Sequence, residues 1–182
     1  MFVASSRALA IRSLTLAAIA AGTMLVGAAS SPHEASKFGG PWISVETPVN
    51  PFDNSTRGAL LLVHTFHHGT PESMPIVGKA EGLVDGQRRA VDFVVTKSSR
   101  EGTYAVQRQW GTKGIWTLLI TATPLEHGNG SIQAVVEIGA DGDVDGVSVP
   151  RDARSMPRLL SLAEVDRTLR ERAKAPVAVG AR

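Results

Sequence analysis

The chain has 182 residues, 43% of them hydrophobic, with 19 Lys and Arg, 17 Asp and Glu, and no cysteine. That length suits one domain with its own core, and the missing cysteine excludes disulfides, thiol nucleophiles and thiolate metal sites. The net charge of +2 belongs to Arg7 and Arg12 alone, because basic and acidic residues cancel from Ser30 onward; the basic balance is therefore no sign of nucleic-acid binding.

Residues 1–29 match a signal peptide. Arg7 and Arg12 give a positive start, an apolar run LTLAAIAAGTMLVGA follows, and small residues precede Ser30. The run is short and glycine-interrupted for a membrane span, and no cysteine follows it to carry a lipid. The body is thus expected to be exported, periplasmic or secreted, in a bacterial style of composition. It divides into a domain at residues 30–150 and a C-terminal helix and tail at residues 151–182, where 8 basic residues face 4 acidic ones.

From Trp42 to Val149 the chain is expected to form short strands and turns. WISVE alternates, and TPVNPFDNSTRG is loop chemistry. ALLLVHTF, beginning at Ala59, is too continuously apolar for a surface helix, and its Val, Thr and Phe favour a strand. IVGKAEGLV and RAVDFVVT flank Asp85-Gly86, a strong hairpin signal. Tyr104, Val106 and Trp110 share one parity; so do Trp116, Leu118 and Ile120, and again Ile132, Ala134, Val136 and Ile138. The pattern predicts an all-β, antiparallel, immunoglobulin-like β-sandwich of about seven to nine strands. Ser161-Leu-Ala-Glu164 is a capping box, and Leu162, Val165 and Leu169 make one stripe, so a short amphipathic helix closes the fold.

Three of the five histidines, His64, His67 and His68, lie within five positions. On a helix they would share a face; on a regular strand His64 and His68 would stand about 13 Å apart with His67 opposite, too far for one metal ion. A transition-metal site then needs the loop end, with His67, His68, Glu72, Met74 and His127 as candidate ligands. Imidazole with thioether would suit copper, and imidazole with carboxylate zinc. In DGDVDG, Asp141, Asp143, Asp145 and Gly146 match the opening half of an EF-hand calcium loop, but Asp152 stands where a Glu usually closes it. The same residues equally make a hairpin turn at Asp141-Gly142, with a bulge near Asp145-Gly146.

No Gly-x-Ser-x-Gly elbow or phosphate loop is present. Trp42, Trp110, Trp116, Phe66, Phe93 and Tyr104 could line a sugar- or peptide-binding surface, though aromatics at strand spacing usually form core. Arg158, Arg167, Arg170, Arg172 and Lys174 could touch anionic lipid weakly, or a partner, from the helix.

Gly102, Tyr104, Gly114, Trp116, Leu118 and Ile120 follow the spacing Gly-x-Tyr, then Gly-x-Trp-x-Leu-x-Ile. The segment resembles the FixH-like and YtkA-like families of small exported bacterial immunoglobulin-like modules, over about half of the mature chain. The resemblance implies a β-sandwich on the outer face of a membrane, sometimes associated with copper handling; His33 after Pro32 departs from the amino-terminal histidine used by similar copper-resistance sandwiches. The expected function is a non-enzymatic binding or accessory protein of the cell envelope, contacting a protein or another envelope component. A metal-binding module is the second expectation, and a hydrolase with an unrecognised site the third.

Overall fold

A computed structural model describes residues 40–125 and 130–174. The expected signal peptide, His33, His127 and the tail from residue 175 lie outside the described residues. Ten strands and one α-helix occur among those described: β1 (Trp42–Glu46), β2 (Leu61–His67), β3 (Thr70–Pro71), β4 (Ile76–Val84), β5 (Gln87–Phe93), β6 (Val95–Lys97), β7 (Thr103–Val106), β8 (Ile115–Ala122), β9 (Ile132–Ile138), β10 (Val144–Ser148) and α1 (Leu162–Lys174). The expected count of seven to nine is exceeded because two-residue β3 pairs separately with the end of β2.

All pairing is antiparallel, in two sheets ordered β1-β2-β7-β6 and β10-β9-β8-β4-β5. With β10 set aside, these are the strand neighbours of an immunoglobulin-type sandwich. The inward parities agree with the sequence expectation: Leu61, Val63, Tyr104, Val106 and Trp110 meet Trp116, Leu118, Ile120, Ala134, Val136 and Ile138 in one core. Asp85 (φ 50°) and Gly86 (φ 74°) make the two-residue β4–β5 turn, both in the left-handed region as a type I′ hairpin requires.

Two glycines shape the interior layer. On β4, Gly78 pairs with Phe93 and Gly82 with Trp116, and each ring lies over the glycine it faces. A Cβ at Gly82 would stand 2.5 Å from the indole, so the aromatic volume occupies what a β4 side chain would otherwise fill.

The outer face of the second sheet is covered by α1. Val165 and Leu169 are fully buried against Leu119 and Val135, with Leu83, Ile115 and Leu160 around them; each of the two is worth about 1.5–3 kcal/mol of burial. The expected stripe is corrected at its first member, since Leu162 is 60% exposed. Leu160 packs there instead: one residue before the Ser161 cap, it makes the hydrophobic staple with Val165. The capping box forms as expected, with Ser161 N donating to Glu164 Oε2 at 2.9 Å and Glu164 N to Ser161 Oγ at 3.3 Å. Two ion networks tie the helix down. Arg88 bridges Asp166 to buried Glu81. Arg172 donates to the carbonyls of Trp116 (3.0 Å) and Ile138 (2.9 Å) and to Asp145 (3.2 Å).

Gly82→Ala should destabilise the domain by about 1–3 kcal/mol, because neither the indole nor the β4 backbone can yield without repacking the core; a denaturant midpoint lowered at unchanged slope would record it. The cap gives a pH signature. Arg158 and the Ser161 groups hold the Glu164 carboxyl down to about 2, below its usual 4.5. Its stabilising effect is therefore complete above pH 4.5 and lost as pH falls toward 2. Glu164→Gln should flatten the melting-temperature profile across that acid range and leave its shape near neutrality unchanged.

Candidate functional site

Strand register sets which loops meet. β2 runs toward His67, Thr103 pairs with His64, and Ala122 pairs with both Ile76 and Ile132. The β2–β4 connection, the β6–β7 turn and the ends of the β8–β9 connection therefore gather at one end, the end on which antibody variable domains carry their binding loops. Thr123 N donates to Pro75 O at 3.0 Å, and the hydroxyls of Thr123 and Ser131 lie 3.1 Å apart.

The histidines divide by strand parity. His64 and His67 both lie on β2, His64 facing outward and His67 inward beyond Val63 and Thr65. The expected shared face of His64 and His68 is corrected. His68 (φ 50°) and Gly69 (φ 78°) form the two-residue turn into β3, with His67 opposite Thr70. Histidine tolerates the left-handed region better than most residues and here takes the place of the Asn in an Asn-Gly turn.

Of the proposed transition-metal ligands, His67 meets Glu72 on one side and His68 on the other. His67 is 7% exposed, its Nδ1 lies 3.2 Å from Glu72 Oε2, and its ring centroid is 4.2 Å from that of His68. Glu72 is held by main-chain bonds, its N–H donating to Thr65 O at 3.0 Å while the Thr65 hydroxyl donates to Glu72 O. Met74 does not join them: only 2% exposed, it packs in the core, and Tyr104 Oη donates to its carbonyl at 2.7 Å. Among the described residues no three His, Asp or Glu side chains gather into a metal-holding group.

DGDVDG forms the hairpin. Val144 pairs with Ile138 and Gly146 with Glu137, so Asp145 is the bulged residue, and Gly142 turns the chain at φ 90°. Asp141 Oδ1 accepts from Asp143 N at 3.1 Å, an Asx turn. Asp145 Oδ2 lies 3.2 Å from an Arg172 guanidinium nitrogen. The basic helix face is also largely compensated: Arg158 pairs with Glu164, Arg170 with Asp166, and Arg172 with Asp145 and Glu137, leaving Arg167 and Lys174 exposed.

Parity alone did not separate the aromatic residues. Trp110, Trp116, Phe93 and Tyr104 are core, but Trp42 and Phe66 stand on the outer face of the first sheet, paired across β1 and β2. Their rings stack with centroids 4.0 Å apart and planes 8° from parallel, and Trp42 remains 44% exposed. Lower on the same face, His64 Nε2 lies 3.1 Å from Glu46 Oε2 and its Nδ1 3.3 Å from Thr103 Oγ1. Ser44 stands opposite His64. Trp42 marks β1 as a strand in WISVE, and the alternation with buried Ile43 was the available clue that it points outward.

Fold and surface together define an immunoglobulin-type β-sandwich with one sheet roofed by a helix and the other bearing an aromatic–polar surface. No protein-family model, curated protein or solved structure matches the chain.

The Arg172–Asp145 contact can be weighed directly. In a double-mutant cycle with Arg172→Met and Asp145→Asn, the coupling should be about 0.5–1 kcal/mol, since Asp145 is half exposed and solvent screens the pair. Arg172→Met alone should cost more than that coupling, because it also strips two strand carbonyls of their donor.

Proposed function

We propose that the chain is a non-enzymatic binding module of the bacterial cell envelope, with the outer face of the first sheet as its contact surface. The observation that carries the reading is the Trp42–Phe66 stack, a large apolar plate held rigidly on two paired strands and left open to solvent. A folded domain gains by burying an indole, and four other aromatic residues of this one are buried. Rigid aromatic side chains on strands are economical binding anchors, because little conformational freedom is lost when a ligand arrives. The His64 network beside the plate adds polar groups already fixed in place by Glu46 and Thr103. The exported location expected from residues 1–29 puts this surface within reach of envelope components.

Co-sedimentation with isolated envelope fractions tests the reading. Wild-type protein should pellet with the fraction containing its ligand, and a Trp42→Ala/Phe66→Ala variant should stay in the supernatant while retaining cooperative unfolding. Equal sedimentation of the two would remove the outer face of the first sheet as the binding surface.

A further inference from the structure

We infer that Trp42 is the stacking subsite for a pyranose ring of a carbohydrate chain, with Ser44 and Glu46 as hydrogen-bonding groups along the same edge; this rests on the reading of that sheet face as the binding surface. Phe66 covers one face of the indole from β2. β1 is the outermost strand of its sheet, so the other indole face looks away from β2 over the sheet edge. Side chains two apart on a strand share a face about 7 Å apart, which sets Trp42, Ser44 and Glu46 in one row. Glu46 uses Oε2 toward His64, and no protein hydrogen bond among the described residues engages its Oε1. His64 holds that carboxylate in place, and Thr103 holds His64.

The composition of the face selects the ligand class. Among the strands of the first sheet, Trp42 is the one exposed large hydrophobic residue. Phe66 stacks against it, Ser44, Glu46 and His64 continue the same face, and the other large apolar side chain on that face of β2, Leu62, is buried. A protein partner would ask for a wider apolar centre around such an anchor. A sugar ring has the opposite shape: its axial C–H bonds form a small apolar plate that desolvates well against an indole, while its rim of hydroxyls needs acceptors and donors close by. One aromatic plate continued by a row of fixed polar groups fits that chemistry, and a row along a strand edge fits a linear oligosaccharide. The fixed carboxylate and the backed indole lose little freedom on binding.

Calorimetric titration of the full chain with chitotetraose, cellotetraose and maltotetraose tests the assignment. Saturable binding of at least one is expected, weakened about tenfold or more by Trp42→Ala and largely kept by Trp42→Phe, which retains a smaller plate. Glu46→Ala should weaken the same titration without changing the melting temperature appreciably. No saturable binding of any of the three, or binding indifferent to Trp42→Ala, would overturn the carbohydrate assignment. The envelope co-sedimentation separates this from failure of the broader reading. Sedimentation that needs Trp42 but is not competed by any oligosaccharide would reject carbohydrate and leave the binding surface standing; sedimentation that ignores Trp42 would reject both.

Discussion

The loop end of the sandwich depends on the close approach of Gly102 to the backbone of Thr65 and Glu72. A Cβ at that position would stand 2.5 Å from Thr65 O and 2.8 Å from Glu72 N, and the residue sits at φ 63°, so both contact and conformation require glycine. Around it the crossing from the first sheet to the second is closed by main-chain and side-chain bonds. Thr65 N donates to Gly102 O, Ser73 N to Glu101 Oε1, and Tyr104 Oη to Met74 O. His67 and Glu72 inherit their geometry from this closure, as does the end of β2 on which Phe66 carries the indole of Trp42.

The two outer faces of the sandwich solve the same problem differently. The second sheet presents Leu119 and Val135 outward and needs a roof, which α1 supplies through Val165, Leu169 and the staple residue Leu160. Along β1 the first sheet alternates apolar-in and polar-out, while on the same outer side Leu62 of β2 and Thr103 of β7 are buried. At the solvent-exposed edge the Trp42–Phe66 stack interrupts that polarity. An aromatic plate beside hydrogen-bonding side chains is a poor surface for simple solvation and a good one for an amphipathic ligand, which is why the β1 edge of this sheet bears the functional reading.

Legibility from the sequence followed the range of each interaction. The Asp85-Gly86 hairpin, the Ser161–Glu164 cap and the bulge at Asp145-Gly146 are local, and residue type with spacing was enough to place them. The inward parity of β8 and β9 was equally plain, because a strand has only two faces. What failed was contact between distant segments. Nothing near Arg172 in the chain announces that it would lie against the carbonyls of Trp116 and Ile138, and so a basic residue of an apparently free stripe became a structural tie. Met74 looked available beside the histidines, yet its side chain turns into the core where Tyr104 holds its carbonyl. For His67 and His68 the boundary between strand and turn was the open point, and the pairing of His67 with Thr70 set it between them.

The guanidinium of Arg172 touches β8 and β9 through their carbonyls and β10 through Asp145, so one residue near the end of the helix latches three neighbouring strands. Among the described residues β10 is the edge strand of its sheet, bulged at Asp145. As the chain is synthesised, the outward apolar band of Leu83, Ile115, Leu119 and Val135 is complete before Leu160, Val165 and Leu169 exist to cover it. A chain halted short of residue 160 would hold a sandwich with a sticky roofless face and an unlatched edge. In that state the same surfaces that pack the helix would recruit a second copy, and self-association would compete with completion of the fold.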